Sequence, residues 1–487
     1  MFIFTIFLLF SHKTPADFMN YLRFLAAFFI LSVCFSCKTK EVVKPNSPPS
    51  AFTVTATLAD NGKDIILKWT KSKDPDGDAV TYAVVYKDTL AKNLSDTTYV
   101  IKDLPYETEI KGSIVAKDLK GGIVNSFFST KTSGYPYVKI PDINFEMKLL
   151  ELGIDDKRDG LLLKRKAENV TKLRIKPSMF IISDTIKTLE GIEAFTNLKE
   201  LYCSSLNIER LDVSKNTSLS ILECYYNRIA NLDVSKNTNL SILRCGSNYI
   251  TNLDVSRNVN LDSLSCGGNN LKSLDISRNT RLAHLECSYN NLETLDISKN
   301  SNLEYLDSGN NPLSIIDVSK NINLVSLSCG SNQLTNLDIK NNINLVRLSC
   351  GSNQLTNLDI KSNINLVSLN CGSNQLTNLD ISSNINLRIL NCSSNQLNNL
   401  DIRKNLRLNE VSCSYNKIVS LDVSQNISLE FLFCDNNQIT NLDLSKILFL
   451  RAIVCYKNKI QIICVRNLNQ PFGSWQKDDF TTYKVCN

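Results

Sequence analysis

Cysteine is the residue in this chain whose number and spacing could most readily support chemistry. Twelve of the 16 cysteines recur every 21 residues from Cys203 to Cys455, and Ser308 occupies the one missing position. Facing thiols can form disulfides or bind metal, but thiols on neighbouring parallel strands point side by side rather than toward each other. Cysteine is also a small apolar residue that is commonly buried. The series therefore favours core packing over crosslinks or a metal site.

Histidine is nearly absent, which limits the catalytic chemistry available. The chain has only His12 and His284, and His12 precedes a predicted signal-cleavage site. Catalytic triads and multi-histidine metal sites depend on this side chain. The sequence therefore predicts that the protein is not an enzyme and requires no cofactor.

Aspartate occurs in two patterns that could bind cations. Twelve aspartates repeat from Asp212 to Asp443, and we expect each to accept hydrogen bonds from the turn that follows it. A cation-binding ladder, as in calcium-binding β-rolls, is the alternative. The loop with Asp74, Asp76 and Asp78 resembles the start of an EF-hand, but Val85 stands where the bidentate glutamate belongs, so the pattern favours a solvated turn.

Partner-binding residues can be sought by aligning the repeats with one another. The middle four turns expose mostly Ser, Gly and Asn, with Arg347 an exception, whereas the early turns carry aromatic and charged residues. Such residues on a rigid strand face often dominate binding energy, although they can also simply be unconstrained. We predict a binding surface formed by Tyr202, Glu223, Tyr225, Arg244, His284, Glu286, Tyr305 and Asp307.

The elements that carry these residues follow from the frame around each cysteine, L-x-x-L-x-C-x-x-N-x-L-x-x-L-D-x-S-x-N. A fixed period of this length indicates a solenoid, because a single unit cannot bury its own apolar face. The second leucine and the cysteine are two residues apart and so share one face of a strand. We predict about 13 stacked turns of mainly β structure with parallel strands, on the order of 60 Å long. Asparagines three residues after the cysteines should be structural.

Composition limits the remaining possibilities. The 487 residues carry a formal net charge of +6 and are 43% hydrophobic. Because lysines and arginines are dispersed among acidic residues, the sequence gives no case for nucleic-acid binding.

The chain divides into segments of distinct character. We expect residues 1–37 to form a signal segment that starts at Met19, and residues 38–50 to form a linker. Short alternating strands predict a β-sandwich over 51–133. A cap over 134–197, with a helix capped by Asp142, then precedes the solenoid at 198–460 and a C-terminal cap at 461–487.

Several segments resemble known families. The stretch ending at Cys37 is similar to a bacterial lipoprotein signal, in which that cysteine is lipidated. Residues Trp69, Tyr82, Leu104 and Thr108 resemble a fibronectin type III domain, although Ile110 replaces its corner tyrosine. The repeat resembles the nested bacterial class of leucine-rich repeat, and NFE, LGID and GIEAFTNL resemble the cap of surface proteins from Bacteroidetes-type bacteria.

The two remaining cysteines lie beyond the array. In an exported protein, Cys464 and Cys486 are expected to form a disulfide that closes the C-terminal cap, as the resemblance also implies. 

These patterns predict a monomeric outer-membrane or cell-surface lipoprotein, with the periplasmic face as the other possible side. Its solenoid would bind a protein or glycan partner in adhesion or scaffolding, and only the lipid anchor would contact the membrane. The alternatives are a carbohydrate-binding accessory protein of a polysaccharide-uptake system, or an inhibitor or receptor subunit.

Overall fold

The computed structural model describes residues 44–176, 185–470 and 474–486. The signal segment and Cys37 lie outside these residues. The described residues form two compact units, which divide between Gly134 and Tyr135. Within the described ranges, no helix has both the length and the apolarity needed to span a membrane.

The first unit contains two antiparallel sheets. One sheet has the order β1 (Val54–Leu58), β2 (Ile65–Trp69), β5 (Thr98–Ile101), and the other has the order β4 (Asp88–Leu94), β3 (Thr81–Tyr86), β6 (Glu109–Lys117), β7 (Ile123–Lys131). Alternating side chains such as Ile65, Leu67 and Trp69 point into a shared core, where the Trp69 and Tyr82 rings meet edge to face at 5.5 Å.

The acidic loop of this unit is held by its own chain. The Asp74 carboxylate accepts the backbone N–H groups of Asp76 and Asp78 at 2.8 and 3.2 Å. The Lys120 ammonium lies 3.0 Å from the Asp78 carboxylate. This lysine therefore provides a positive charge for the loop from within the protein. The contacts are those of a hydrogen-bonded turn.

The second unit begins with a cap that covers the first turn of the solenoid. Asp142 Oδ1 accepts the N–H groups of Asn144 and Phe145, which confirms the predicted helix start. The buried Phe145 and Leu149 join the same apolar core as the solenoid. The cap comprises β8 (Tyr137–Lys139), α1 (Ile143–Glu151), β9 (Leu161–Leu163), α2 (Lys164–Glu168), β10 (Lys172–Arg174) and a 3₁₀ turn (Ile192–Ala194).

The solenoid is built on a 15-stranded parallel sheet in which β10 pairs with the first regular strand. From Glu200 to Val454 each pairing is in register by 21 residues, so the central residues stack, as Leu327 does on Leu348. The strands are β11 (Glu200–Tyr202), β12 (Ile221–Glu223), β13 (Ile242–Arg244), β14 (Ser263–Ser265), β15 (His284–Glu286), β16 (Tyr305–Asp307), β17 (Ser326–Ser328), β18 (Arg347–Ser349), β19 (Ser368–Asn370), β20 (Ile389–Asn391), β21 (Glu410–Ser412), β22 (Phe431–Phe433), β24 (Ala452–Val454) and, in the cap, β26 (Trp475–Gln476).

The interior of the stack consists of columns of identical side chains. Leucines and cysteines such as Leu348 and Cys350 are almost completely buried in one continuous core. This arrangement confirms the predicted mainly β class, with a solenoid of about 13 turns that follows a domain of β-sheets.

The asparagines that follow the cysteines tie each turn to the previous one. The Asn353 side chain accepts the N–H of Leu334 at 3.0 Å and donates to the carbonyls of Cys329 and Cys350 at 3.0 and 3.1 Å. Equivalent bonds recur from Asn227 to Asn458. In the first turn Leu206 takes this position, and its N–H donates to Asn227. These asparagines satisfy buried backbone groups, as predicted.

A second column of asparagines, from Asn216 to Asn426, is completely buried in the other half of each turn. Asn342, for example, donates to the carbonyls of Val318 and Asn321 at 3.0 and 2.8 Å. Beside this column each aspartate accepts a local N–H, such as that of Ser214 at Asp212 Oδ1. These bonds lower the pKa of Asp212, chiefly through the Ser214 backbone, and each aspartate is therefore part of a hydrogen-bonded turn.

The ladder thiols are free and buried. Loss of hydration on burial raises the pKa of the Cys245 and Cys350 thiols to about 12, so both are protonated at neutral pH. Ser308 occupies the same buried position, with its hydroxyl 3.4 Å from the carbonyl of Ser328. The cysteines therefore act as small apolar residues in the core.

The C-terminal cap closes the far end of the stack. Strands β23 (Leu442–Asp443), β25 (Ile462–Val465) and β27 (Thr482–Val485) form a separate parallel sheet, and a disulfide joins Cys464 to Cys486. The Gln470 amide donates to the carbonyls of Leu444 and Ile447, in the manner of the buried asparagines in earlier turns. The end of the core is thus covered by buried side chains and satisfied backbone.

Candidate binding groove

The N-terminal third of the solenoid contains a groove of about 870 Å³ at the ends of strands β12–β16. The central residue of each strand is buried, so the two flanking residues project outward and form two columns along the sheet. The turn after each cysteine forms the side of the groove. The lining residues are Tyr225, Tyr226, Arg244, Gly246, Ser247, Ser265, Gly267, Gly268, His284, Glu286, Ser288, Tyr289 and Asp307.

Two carboxylates in the groove lack a cationic partner. Glu223, at the groove margin, forms an ion pair with Arg244 of the next turn. Glu286 accepts the Ser265 hydroxyl, and Asp307 accepts the N–H of Gly309 at 3.0 Å. Among the residues that the structure describes, neither Glu286 nor Asp307 lies in an ion pair, so the groove carries excess negative charge.

An aromatic pair lies beside these carboxylates. The imidazole of His284 stacks on the Tyr305 ring, with centroids 4.2 Å apart and planes 5° from parallel. Partial burial lowers the pKa of His284, Arg244 adds to this effect, and Glu286 opposes it. Burial, together with Asp307 and Glu286, raises the pKa of Tyr305. Both rings are therefore uncharged at neutral pH, and the negative charge remains on the carboxylates.

Two exposed tyrosines border the groove, three turns apart. Tyr226 and Tyr289 are each 64% exposed and adopt left-handed backbone angles, with φ of 55° and 53°. Most other turns place Ser or Asn at this position, where a bulky residue is less favourable. Between them the floor is open because Gly246 has no side chain, and a Cβ there would lie 2.8 Å from the carbonyl oxygen of Gly267.

The structure brings most of the predicted binding residues together. Tyr225, Arg244, His284, Glu286 and Asp307 line the groove. Glu223 and Tyr305 contact two of these residues directly.

Tyr202 lies outside this group. Its ring is covered by the Arg174 guanidinium at 3.9 Å, and its hydroxyl donates to Glu200, which pairs with Lys172. Tyr202 is thus part of a separate cluster at the first turn and the cap.

The middle turns form a shallower and more polar trench of about 360 Å³. Tyr289 and Asp307 lie at one end, and the rest of the lining is Ser, Gly and Asn from near-identical turns, such as Ser328, Gly330 and Asn370. This trench offers hydrogen-bonding groups at a regular interval but little charge.

The stacked leucine and asparagine columns define a leucine-rich-repeat protein. The functional domain of InlJ from Listeria monocytogenes, described as including a cysteine ladder, superposes with a TM-score of 0.60 and 32% identity over 67% of this chain and 77% of that chain. The chain belongs to this internalin-type family of bacterial leucine-rich-repeat proteins. An internalin, InlF, from the same species shares the fold with a TM-score of 0.57 and 20% identity over 70% of this chain and 96% of that chain.

No family model matches the sequence, and no curated protein matches it.

Proposed function

We propose that the protein is a cell-envelope scaffold or adhesion protein that binds a protein partner in the groove around Glu286 and Asp307. The observation that carries this proposal is the pair of unmatched carboxylates, Glu286 and Asp307, in a groove that the exposed rings of Tyr226 and Tyr289 also line. Solenoids commonly bind partners on such extended rigid surfaces.

The chemistry of the groove favours a partner that presents a basic side chain. An arginine guanidinium can form a bidentate pair with a carboxylate and can stack on a tyrosine ring. The His284–Tyr305 pair adds an uncharged flat surface beside the carboxylates. A lysine would satisfy the charge but would not match the planar geometry as well.

Binding can be tested with the full chain, solubilised in mild detergent, on an array of basic peptides and their glutamine-substituted counterparts. We expect arginine-containing peptides to bind, and binding to weaken as salt is raised. The double change Glu286→Gln and Asp307→Asn should reduce binding on the order of tenfold or more.

The matched control is the double change Asn370→Ala and Asn391→Ala, which alters the same strand position in the middle turns. Equal binding by the groove variant and this control would contradict the assignment. Retention of one cellular protein by the wild type and the control, but not by the groove variant, would identify the partner.

A glycan partner is the second candidate, and the polar trench beside Tyr289 favours it. Tyrosine rings stack on sugar faces, and Ser and Asn side chains can bond sugar hydroxyls. Specific signals on a glycan array that are lost on Tyr289→Ala, without any peptide binding, would support this function over the first.

The proposed location rests on the sequence alone. We propose that Cys37 is lipidated, that the fibronectin-like unit acts as a spacer above the outer membrane, and that the solenoid faces the cell exterior, as in Bacteroidetes-type surface proteins. Metabolic labelling with a palmitate analogue should be lost on Cys37→Ala. Protease treatment of intact cells should degrade the solenoid, and its protection would place it on the periplasmic side.

A further inference from the structure

In each later turn of the solenoid, one exposed aliphatic side chain lies in the bend that precedes the strand of that turn, and these side chains form a column along the solenoid. It occupies the position after the second column of buried asparagines, or after the equivalent Ile447 in the last of these turns, and seven consecutive turns each leave 53–57% of the residue exposed. Its members, called here the aliphatic stripe, are Ile322, Ile343, Ile364, Ile385, Leu406, Ile427 and Leu448. The fold does not require this composition, because five earlier turns place Thr217, Thr238, Val259, Thr280 and Ser301 there.

The residues beside the stripe change together with it. In the first six turns the position two residues before is always basic, as in Lys215, Lys236 and Arg257. Along the middle of the stripe the same position holds Asn341, Ser362 and Ser383. Two of these turns instead carry their basic residue one position earlier, as Lys340 and Lys361, and both lysines pair with aspartates. Uncharged residues therefore stand at this position beside the exposed aliphatic side chains, and an apolar centre with a polar rim is typical of protein interfaces.

The flank on the other side of the stripe carries asparagines in the middle turns. Asn344, Asn365 and Asn386 follow the aliphatic residues and donate to the carbonyls of Ile322, Ile343 and Ile364 at 3.1–3.2 Å. The Asn386 side-chain oxygen also accepts a hydrogen bond from the Arg407 guanidinium at 3.1 Å. Lys404 and Arg407 lie farther along the stripe and are exposed to solvent.

We propose that the aliphatic stripe binds a second copy of this chain. A partner that covers all seven side chains must present apolar groups at the spacing of the turns, about 4.8 Å, along a line on the order of 30 Å. The stripe of a second copy of this chain has the same spacing, because its turns stack at the same distance. A twofold axis near Ile364 would set the two stripes side by side in opposite directions, as in a self-complementary interface.

The available area agrees with this proposal. Seven side chains that are more than half exposed present on the order of 600 Å², at the upper end of the apolar patches found on monomers. A standard interface buries about 800 Å² on each partner, so the stripe and its asparagine flank suffice for a dimer. This proposal replaces the monomer expected from the sequence, and it does not depend on the groove, which lies at the opposite ends of the strands.

Self-association can be measured with two differently tagged full-length chains, co-expressed and solubilised in mild detergent. We expect one tag to retain the other, and sedimentation to give the mass of two chains. The triple change Ile343→Lys, Ile364→Lys and Ile385→Lys should weaken association on the order of 100-fold or more, because each charge would be buried opposite an apolar surface.

The matched control is Thr217→Lys, Thr238→Lys and Thr280→Lys, which adds the same charge at the same position of earlier turns. It should associate like the wild type, and all variants should keep the circular dichroism spectrum of the folded protein. Single chains in the wild-type preparation, or equal association by the stripe variant, would overturn the proposal.

A photo-crosslinking amino acid in place of Ile364 identifies the occupant in cells. A product that contains two copies of this chain would support the proposal. A product with a different protein or with lipid would overturn it. Because the groove variant Glu286→Gln and Asp307→Asn should still associate, failure of this proposal can be distinguished from failure of the proposed function.

Discussion

Replacement of Asn353 by alanine provides a direct test of how the turns are held together. The change would leave the buried N–H of Leu334 without an acceptor, because Asn353 Oδ1 is its partner. It would also remove three donated bonds, to the carbonyls of Cys329, Cys350 and Gly351. The consequences of these two losses differ in size.

The N–H of Leu334 is the largest single contribution to the expected cost. An orphaned buried donor costs about 1–3 kcal/mol, whereas a lost bond whose acceptor keeps another partner costs about 0.5–1 kcal/mol. The three carbonyls do keep partners, since Asn332, Asn374 and the backbone of Ser331 also donate to them. We therefore expect Asn353→Ala to reduce the free energy of unfolding by about 3–5 kcal/mol.

Urea unfolding followed by circular dichroism measures this loss, and hydrogen exchange of the Leu334 amide reports it locally. The matched control is Asn344→Ala, an exposed asparagine with a single bond to the carbonyl of Ile322, which should cost under about 0.5 kcal/mol. If the two variants unfold within about 1 kcal/mol of each other, or if Leu334 exchanges at the wild-type rate, the reasoning is refuted.

Three further outcomes follow from buried or bonded groups. Iodoacetamide should modify none of the 12 ladder thiols in the folded protein and all of them in urea, because burial keeps the thiols protonated. Modification without urea would contradict the assignment of these cysteines to the core. Cys464→Ser should destabilise the C-terminal cap by about 3 kcal/mol, and peptide mapping without reductant should recover Cys464 joined to Cys486 rather than two free thiols. Burial lowers the pKa of His284 from 6.5, so the stability contributed by the neutral imidazole should be complete above pH 6.5 and should fall as the pH drops below that value. The variant His284→Gln should lose this pH dependence of the urea midpoint. The same pH dependence in the variant and the wild type would argue against this role of His284.

The repetitive part of the fold could be predicted from the sequence because every turn repeats the same constraint. The spacing of Leu348 and Cys350 fixes one face of a strand, and their burial follows from stacking. The role of Asn353 was predictable because a bend leaves backbone groups that require a partner. The sequence could not reveal that Gln470 substitutes for a buried asparagine, since the C-terminal cap departs from the period.

The candidate groove was only partly predictable. Alignment of the turns identified the charged strand residues, but the ion pair between Glu223 and Arg244 depends on side-chain geometry across two turns. Tyr226 and Tyr289 vary among the early turns but are not among the eight predicted binding residues, and their exposure comes from a left-handed backbone in the bend after the strand. A signal existed, since both replace the small residue of other turns.

The aliphatic stripe shows a different limit of sequence reasoning. Ile364 lies between a buried asparagine and a buried leucine, in a bend where side chains do not alternate between faces. From the sequence alone, an isoleucine in that context would be assigned to the core. The change from Thr217 to Ile322 at equivalent positions was the available clue.

The nearly identical middle turns also bear on how this protein can change over generations. Deletion or duplication of one 21-residue unit, such as residues 345–365, would restore every bond between turns, because the new neighbours offer the same asparagines and carbonyls. Recombination between such units would therefore lengthen or shorten the array without a folding penalty at the joint. Related strains should differ by whole units there, while the acidic groove toward the amino terminus keeps its shape.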